Sequence, residues 1–145
     1  MTFKASIENQ KLGESVEDEI FMMLKRMLPD AFVTRGSNDP RENGKYGDVY
    51  VRKTSYEAPL VLIEAKGSTY PGSFSLSDYE KRVSQAKWVI VKGSMGIWAI
   101  EMRIARDFLT EKGDAGDKYW VCEPPWREHE SIATVIADIC AAFVA

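Results

Sequence analysis

Residues 47–67 read GDVYVRKTSYEAPLVLIEAKG. Asp48–Lys53 alternates apolar and polar side chains as a half-buried strand does, and Pro59–Lys66 is a nearly continuous apolar run of the kind found in central strands. The residues between them fit a hairpin connection. Side chains two apart in a strand share a face, so Glu64 and Lys66 project together, after Leu60 and Leu62. A core-facing row that ends in an acid and a lysine has no packing explanation. An aspartate at a strand start and a Glu-x-Lys pair at a strand end also occur on solvated edges. Here the hairpin spacer, the strongly apolar strand and Gly67, which allows a ligand to approach closely, weigh for a site.

If Asp48 begins the strand beside Pro59–Lys66, its carboxylate can meet Glu64 and bind a divalent cation through oxygen. Magnesium suits such a pair, because it accepts one or two carboxylates and keeps several waters and a position for a phosphate oxygen. Mn2+ should substitute. Lys66 would hold or help deprotonate an attacking water and neutralise charge nearby.

Upstream, Val16, Ile20, Met23, Leu24 and Met27 recur at three- and four-residue steps, which predicts an amphipathic helix from Ser15 to Leu28, capped by Ser15 and stopped by Pro29. Glu17 lies on its apolar row with Phe21, Leu24 and Leu28. A first-turn glutamate also complements the helix dipole, but Glu14, Asp18 and Glu19 already serve that purpose. A short strand over Ala31–Arg35 and a loop over Gly36–Gly47 lead into the quoted stretch. Downstream, Ser77-Asp78-Tyr79-Glu80 reads as a capping box opening a helix to about Ala86. Strands at Trp88–Lys92 and Ile97–Met102, a helix from about Arg103 to Thr110, an extended piece at Tyr119–Cys122 and a last helix from about Arg127 to Phe143 complete the chain. The order α-β-β-β-α-β-β-α-β-α is that of an α/β domain with a mixed central sheet flanked by helices, one domain over residues 1–145.

Asp48 with Glu64-Ala65-Lys66 resembles the PD-(D/E)xK nuclease signature, and the fuller pattern resembles archaeal-type Holliday junction resolvases. Residues 13–20 (GESVEDEI) look like that family's opening helix, with Glu17 at its glutamate; residues 31–35 (AFVTR) resemble its first strand, ending in a functional arginine; Gly36-Ser37 resembles its flexible loop. Trp88 to Met102 resembles the two strands after its catalytic helix. The resemblance implies a restriction-endonuclease-like core, catalysis by Glu17, Asp48, Glu64 and Lys66, and Mg2+ on Asp48, Glu64 and Glu17. It also implies a homodimer that nicks four-way DNA junctions in pairs. Arg35, Ser37, Arg41 and Lys45 would grip DNA phosphates; a plain polar surface loop is the alternative for this group. The chain departs from the pattern at Gly47, where a proline is usual, and at Asp18, where an arginine is frequent. Its 35–48 loop is longer, and it is acidic where the family is usually basic. A restriction-like or exonucleolytic DNase without branch preference, or a non-catalytic DNA-binding domain, would share much of the pattern.

Composition narrows the alternatives. A 145-residue chain that is 45% hydrophobic and 28% charged suits one soluble domain. No apolar run approaches the roughly 18 residues that span a bilayer, and the first residues lack a secretory apolar segment, so a cytoplasmic protein with no membrane partner is expected. His129 is the sole histidine, which leaves no raw material for a zinc site or a histidine triad. Of the two cysteines, Cys140 falls in the apolar stripe of the last helix and reads as a buried thiol. Net charge is −3, but residues 1–95 carry +1 and residues 96–145 carry −4. Between Lys25 and Lys53 seven basic residues face four acidic ones, a modest footprint for a phosphate backbone. Lys81, Arg82, Lys87 and Lys92 read as a solvated surface. Tyr70 and Phe74 read as packed against the domain, although loop aromatics can also stack on an unpaired base, and Trp88 and Trp98 read as core.

Overall fold

A computed structural model describes residues 3–35, 47–54, 57, 60–68, 73–77, 84–93, 96–111, 118–122, 127–129 and 131–144. Helix α1, Phe3–Met27, is 25 residues long, so it reaches about 37 Å at 1.5 Å per residue. It begins three turns before Ser15, which is therefore no cap. The Ser15 hydroxyl instead accepts a hydrogen bond from Lys92. Lys25 and Arg26 in the last turn complement the helix dipole, and Pro29 follows the final i→i−4 bond from Leu28 to Leu24.

Strands β1 (Phe32–Arg35), β2 (Val49–Arg52), β3 (Val61–Gly67), β5 (Trp88–Lys92), β6 (Ile97–Glu101) and β9 (Arg127–His129) form a six-stranded sheet in the order β1-β2-β3-β5-β6-β9. Only β3 and β5 pair in parallel; the other neighbours are antiparallel. A second, three-stranded antiparallel sheet joins β4 (Ser73–Ser77), β8 (Lys118–Cys122) and β7 (Leu109–Glu111) in the order β4-β8-β7. Helix α2, Met102–Asp107, follows β6, and α3, Ile132–Val144, ends the described chain.

The two-residue period of the strands divides the interior into two cores. Val49, Val51, Val61, Ile63, Ile90 and Ala99 pack under α1 and α3, against Val16, Ile20, Leu24, Ile132, Val135, Ile136 and Ile139. Their neighbours Tyr50, Leu62, Val89, Val91 and Ile100 face the other way, onto Phe74 and Leu76 of β4 and Met102 and Ala105 of α2. The central sheet is thus covered on both faces, which explains why β3 and β5 read as continuous apolar runs. Cys140 is a free thiol in the first core, and burial pushes its pKa up. No helix among the described residues is long and apolar enough to cross a membrane.

Four expectations need correction. Ser77 is the last residue of β4 and Ser84–Ala86 is not helical, so the capping-box helix does not begin at Ser77 or run to Ala86; residues 78–83 lie outside the described set. The alternation Ser-Phe-Ser-Leu-Ser over 73–77 is a strand pattern that buries Phe74 and Leu76. The helix after β6 stops at Asp107, and Leu109–Glu111 is strand. The last helix begins at Ile132, where Ser131 Oγ accepts from the Thr134 amide at 3.3 Å, while Arg127–His129 pairs with β6. Leu60 precedes β3 and is 41% exposed, so the core-facing row starts at Leu62.

Leu24 is fully buried between α1 and the sheet, whereas Met22, two residues before it, is 49% exposed. Leu24→Ala should cost about 2–5 kcal/mol in urea unfolding. Met22→Ala should stay within about 0.5 kcal/mol of the wild type. Equal effects would contradict the orientation of α1.

Candidate active site

Strand register brings the candidate residues to one end of the central sheet. Arg35 pairs with Val49, Val49 with Ile63, and Gly67 with Lys92, so the end of β1, the start of β2 and the ends of β3 and β5 adjoin there. Helix α1 crosses this end. A Cβ built on Gly13 would lie 3.3 Å from the Gly67 nitrogen, so a helix glycine and a strand glycine together permit the close approach.

Asp48 is the hinge of the arrangement. Continuing the β2–β3 register by one residue would set it opposite Glu64. The ladder bends there instead. The Asp48 amide donates to Ile63 O at 2.8 Å, and its Oδ2 accepts from the Ala65 amide at 2.7 Å. Asp48 therefore holds β3 on both sides of Glu64, with its carboxylate in place of a backbone acceptor. Gly47 makes the bend possible. Its φ is +101°, and a Cβ there would sit 2.6 Å from Ile63 O. Proline, with φ locked near −65°, could not take this conformation. The backbone at this position therefore requires glycine.

Glu64 is 3% exposed, an acid on the same sheet face as Leu62 and Tyr50. Burying a carboxylate is costly unless hydrogen bonds or opposite charge compensate. Lys66 follows on that face, half-buried. Glu17 approaches from the α1 side, its side chain 13% exposed. Burial pushes its pKa up, the charge of Asp48 pushes it further, and pairing with Arg35 only partly opposes them. Strand register places Asp48, Glu64 and Lys66 near one end of the sheet, with Glu64 and Lys66 in the alternation of the face turned from α1, whereas Glu17 belongs to the helix that covers the opposite face.

Arg35 is engaged within the protein. Its Nε and Nη2 donate to Glu17 Oε1 at 3.2 and 3.1 Å, its Nη2 lies 2.7 Å from Asp18 Oδ1, and its guanidinium sits 5.6 Å from the centre of the Phe21 ring. Asp18 is thus a second acidic partner of Arg35. Ser37, Arg41 and Lys45 lie outside the described residues, as do Tyr70, Lys81 and Arg82.

Lys92, expected on a solvated surface, is instead engaged with α1. Its Nζ lies 2.9 Å from Glu19 Oε1 and 3.2 Å from Ser15 Oγ. Ser15 and Glu19 are four residues apart on α1 and form one grip for a strand-end cation. A strand reading of Trp88–Lys92 already puts Lys92 at the strand end, but its tie to α1 depends on the parallel register with β3.

Asp48 and Glu64 carry oxygen atoms of the hard kind that magnesium accepts. Among the described residues, no three histidine, cysteine, aspartate or glutamate side chains form a preassembled metal-binding group. Glu17 is hydrogen-bonded to Arg35 and does not join Asp48 and Glu64 in such a group. Two cavities, of about 390 and 300 Å³, flank Lys87 and Trp88 at the opposite end of the sheet and do not border these residues. No protein-family model matches the chain, and no curated protein matches it.

Ionised Glu17 opposes folding above its raised folded-state pKa, and the penalty disappears as pH falls through the ordinary carboxylate range, where the unfolded chain also binds the proton. Glu17→Gln should therefore melt at or above the wild-type temperature at pH 7, with the difference shrinking towards pH 4. A lower melting temperature at pH 7 would show that the Arg35 pair dominates.

Proposed function

We propose that this chain is a magnesium-dependent DNA endonuclease of the PD-(D/E)xK type, with a restriction-endonuclease-like core. The observation that carries this reading is the grip of Asp48 on both sides of a buried Glu64, with Lys66 next on the same face. The mixed sheet flanked by helices is compatible with it.

Asp48 and Glu64 would hold the ion, and Glu17 would join them once turned from Arg35. Bound metal lowers the pKa of its water and screens charge gathering on the phosphate. Lys66 presents an ammonium to that charge and can hold the attacking water by hydrogen bonding. Arg35, with Ser37, Arg41 and Lys45 of the following loop, would position the phosphate backbone without reading bases. Mn2+ would serve in place of Mg2+.

Asp48→Asn and Glu64→Gln should abolish cleavage of labelled DNA in magnesium while leaving DNA binding largely intact, since each removes a metal ligand and not a phosphate contact. Lys66→Ala should behave the same way, and Glu17→Gln should lose much of the activity while remaining folded. Wild-type cleavage by Asp48→Asn would overturn the site assignment.

Within that class, we assign the chain to junction resolution by a homodimer. The α3 stripe is consumed inside the domain against α1 and the sheet, so the dimer rests on the family resemblance. A two-fold dimer presents two equivalent sites, which match the approximate two-fold symmetry of a four-way junction and allow paired nicks. Sedimentation at micromolar concentration should show twice the 16.4 kDa chain mass. At physiological salt the protein should prefer a four-way junction over linear duplex in competition, and binding should weaken steeply as salt rises. Equal affinity with unpaired nicks would leave a general DNase without branch preference.

A further inference from the structure

The other end of the central sheet, where β5 begins and β6 ends, carries a different chemistry. Trp88 opens β5 there, paired with Ile63 on one side and Glu101 on the other. A cavity of about 390 Å³ lies beside it, and among its described lining residues Lys87, Arg103 and Arg106 face one acid, Glu101. That local excess of positive charge stands against a net charge of −3 for the whole chain. Arg106 is fixed in the wall, because its Nη2 donates to the carbonyl of buried Ser84 at 2.6 Å. Arg103 Nε donates to Glu101 Oε2 at 2.7 Å, but these side chains are 79% and 40% exposed. Solvent screens such a pair, and a phosphate offers the guanidinium a stronger, forked partner.

A second cavity, of about 300 Å³, shares Lys87 and Trp88 with the first and continues along Leu60, Ile139 and Phe143, with Lys53 at its border. Trp88 and Phe143 pack against the core beneath α1 and α3, whereas Arg103 and Arg106 belong to α2 on the other face. Aromatic surface and cationic surface therefore meet around the start of β5. Lys53 Nζ lies 6.0 Å from the centre of the Phe143 ring. Both volumes fall in the range of small-ligand sites, about 300–1,000 Å³. An aliphatic chain would gain nothing from the two lysines bordering the apolar cavity. A nucleobase offers ring faces for stacking and ring-nitrogen and carbonyl acceptors for ammonium groups. We propose that this sheet end binds a nucleotide, with its phosphate on Lys87, Arg103 and Arg106 and its base against Trp88 and Phe143. A free mononucleotide and the phosphorylated end of a strand share that chemistry. The site goes beyond the nuclease reading and does not rest on it, since Asp48 and Glu64 lie towards the other end of the sheet.

Titration calorimetry at low salt with adenosine monophosphate, adenosine, inorganic phosphate and decanoate tests this without measuring cleavage. The monophosphate should bind at least about tenfold more tightly than adenosine or phosphate, each of which supplies only part of the contacts. Arg103→Gln, at an exposed side chain, should weaken the monophosphate about tenfold, the loss of a charge-assisted hydrogen bond. Phe143→Leu keeps an apolar side chain and removes the ring, so it should weaken the monophosphate about fivefold and leave phosphate unchanged. No binding of the monophosphate up to millimolar concentration, or no effect of Arg103→Gln, overturns the proposal. Decanoate bound as tightly as the monophosphate also overturns it and leaves a site for aliphatic anions. Asp48→Asn should not alter the monophosphate affinity; a loss there would put the nucleotide at the candidate active site and defeat this one. A 5′-phosphorylated trinucleotide decides the source. Displacement of the monophosphate points to a strand end and failure to displace it to a free nucleotide, and either result upholds the site.

Discussion

The bend at Gly47 and Asp48 is the constraint on which the candidate site depends. A regular antiparallel ladder would set Asp48 opposite Glu64 and satisfy the Ala65 amide with a backbone carbonyl. Here a carboxylate oxygen takes that place at 2.7 Å, while the Asp48 amide stays on Ile63 O. Main chain and side chain of one residue thereby fix β3 on both sides of Glu64. The geometry needs the left-handed φ of Gly47 and the absence of a Cβ that would strike Ile63 O. The acid pair is built into the sheet's hydrogen bonding and not appended by a loop. Such placement on rigid backbone is what a site with fixed ligand positions requires.

Helix α1 is held over this sheet end from both flanks. Lys92 at the end of β5 ties Ser15 and Glu19, and Arg35 at the end of β1 ties Glu17 and Asp18. Between them Val16 and Ile20 are fully buried. Burial fixes the height of the helix, and the flanking ion pairs set its rotation. The two pairs differ in character. Lys92 completes an i, i+4 grip whose members have no evident role in the site. Arg35 engages an acid whose pKa is raised despite that partner, because burial and Asp48 outweigh it. Raised carboxylate pKa values of this kind arise at functional sites and in structural ion-pair networks alike, so the conflict makes Glu17 a candidate and assigns it no role by itself.

The sequence made part of this legible, and the boundary has physical causes. Strands β2, β3, β5 and β6 carry enough β-branched and apolar residues for period and composition to agree, and Glu64 and Lys66 share a face by alternation alone. The extension of α1 to Phe3 escaped because Ser15 and Gly13 look like a helix boundary. Tertiary contacts with Lys92 and Gly67 explain both residues. The strand at Ser73–Ser77 escaped because its serines resemble a loop, and β7 and β9, at three residues each, are too short to show a period. Arg35 was marked as functional, yet its pairing with Glu17 spans 18 residues and follows from strand register that no local pattern encodes. Lys92 is the same case at greater range.

Charge at the site end bears on the nuclease reading most directly. Among the described residues there, Glu14, Glu17, Asp18, Glu19, Asp48 and Glu64 outnumber Arg35, Lys66 and Lys92, and Arg35 and Lys92 are already paired with acids. A phosphate backbone would meet that excess as repulsion. Under the proposed nuclease reading, a divalent cation held by Asp48 and Glu64 would add positive charge at this end and offset part of it. Phosphate affinity would then depend on the metal and fall when the metal is withdrawn.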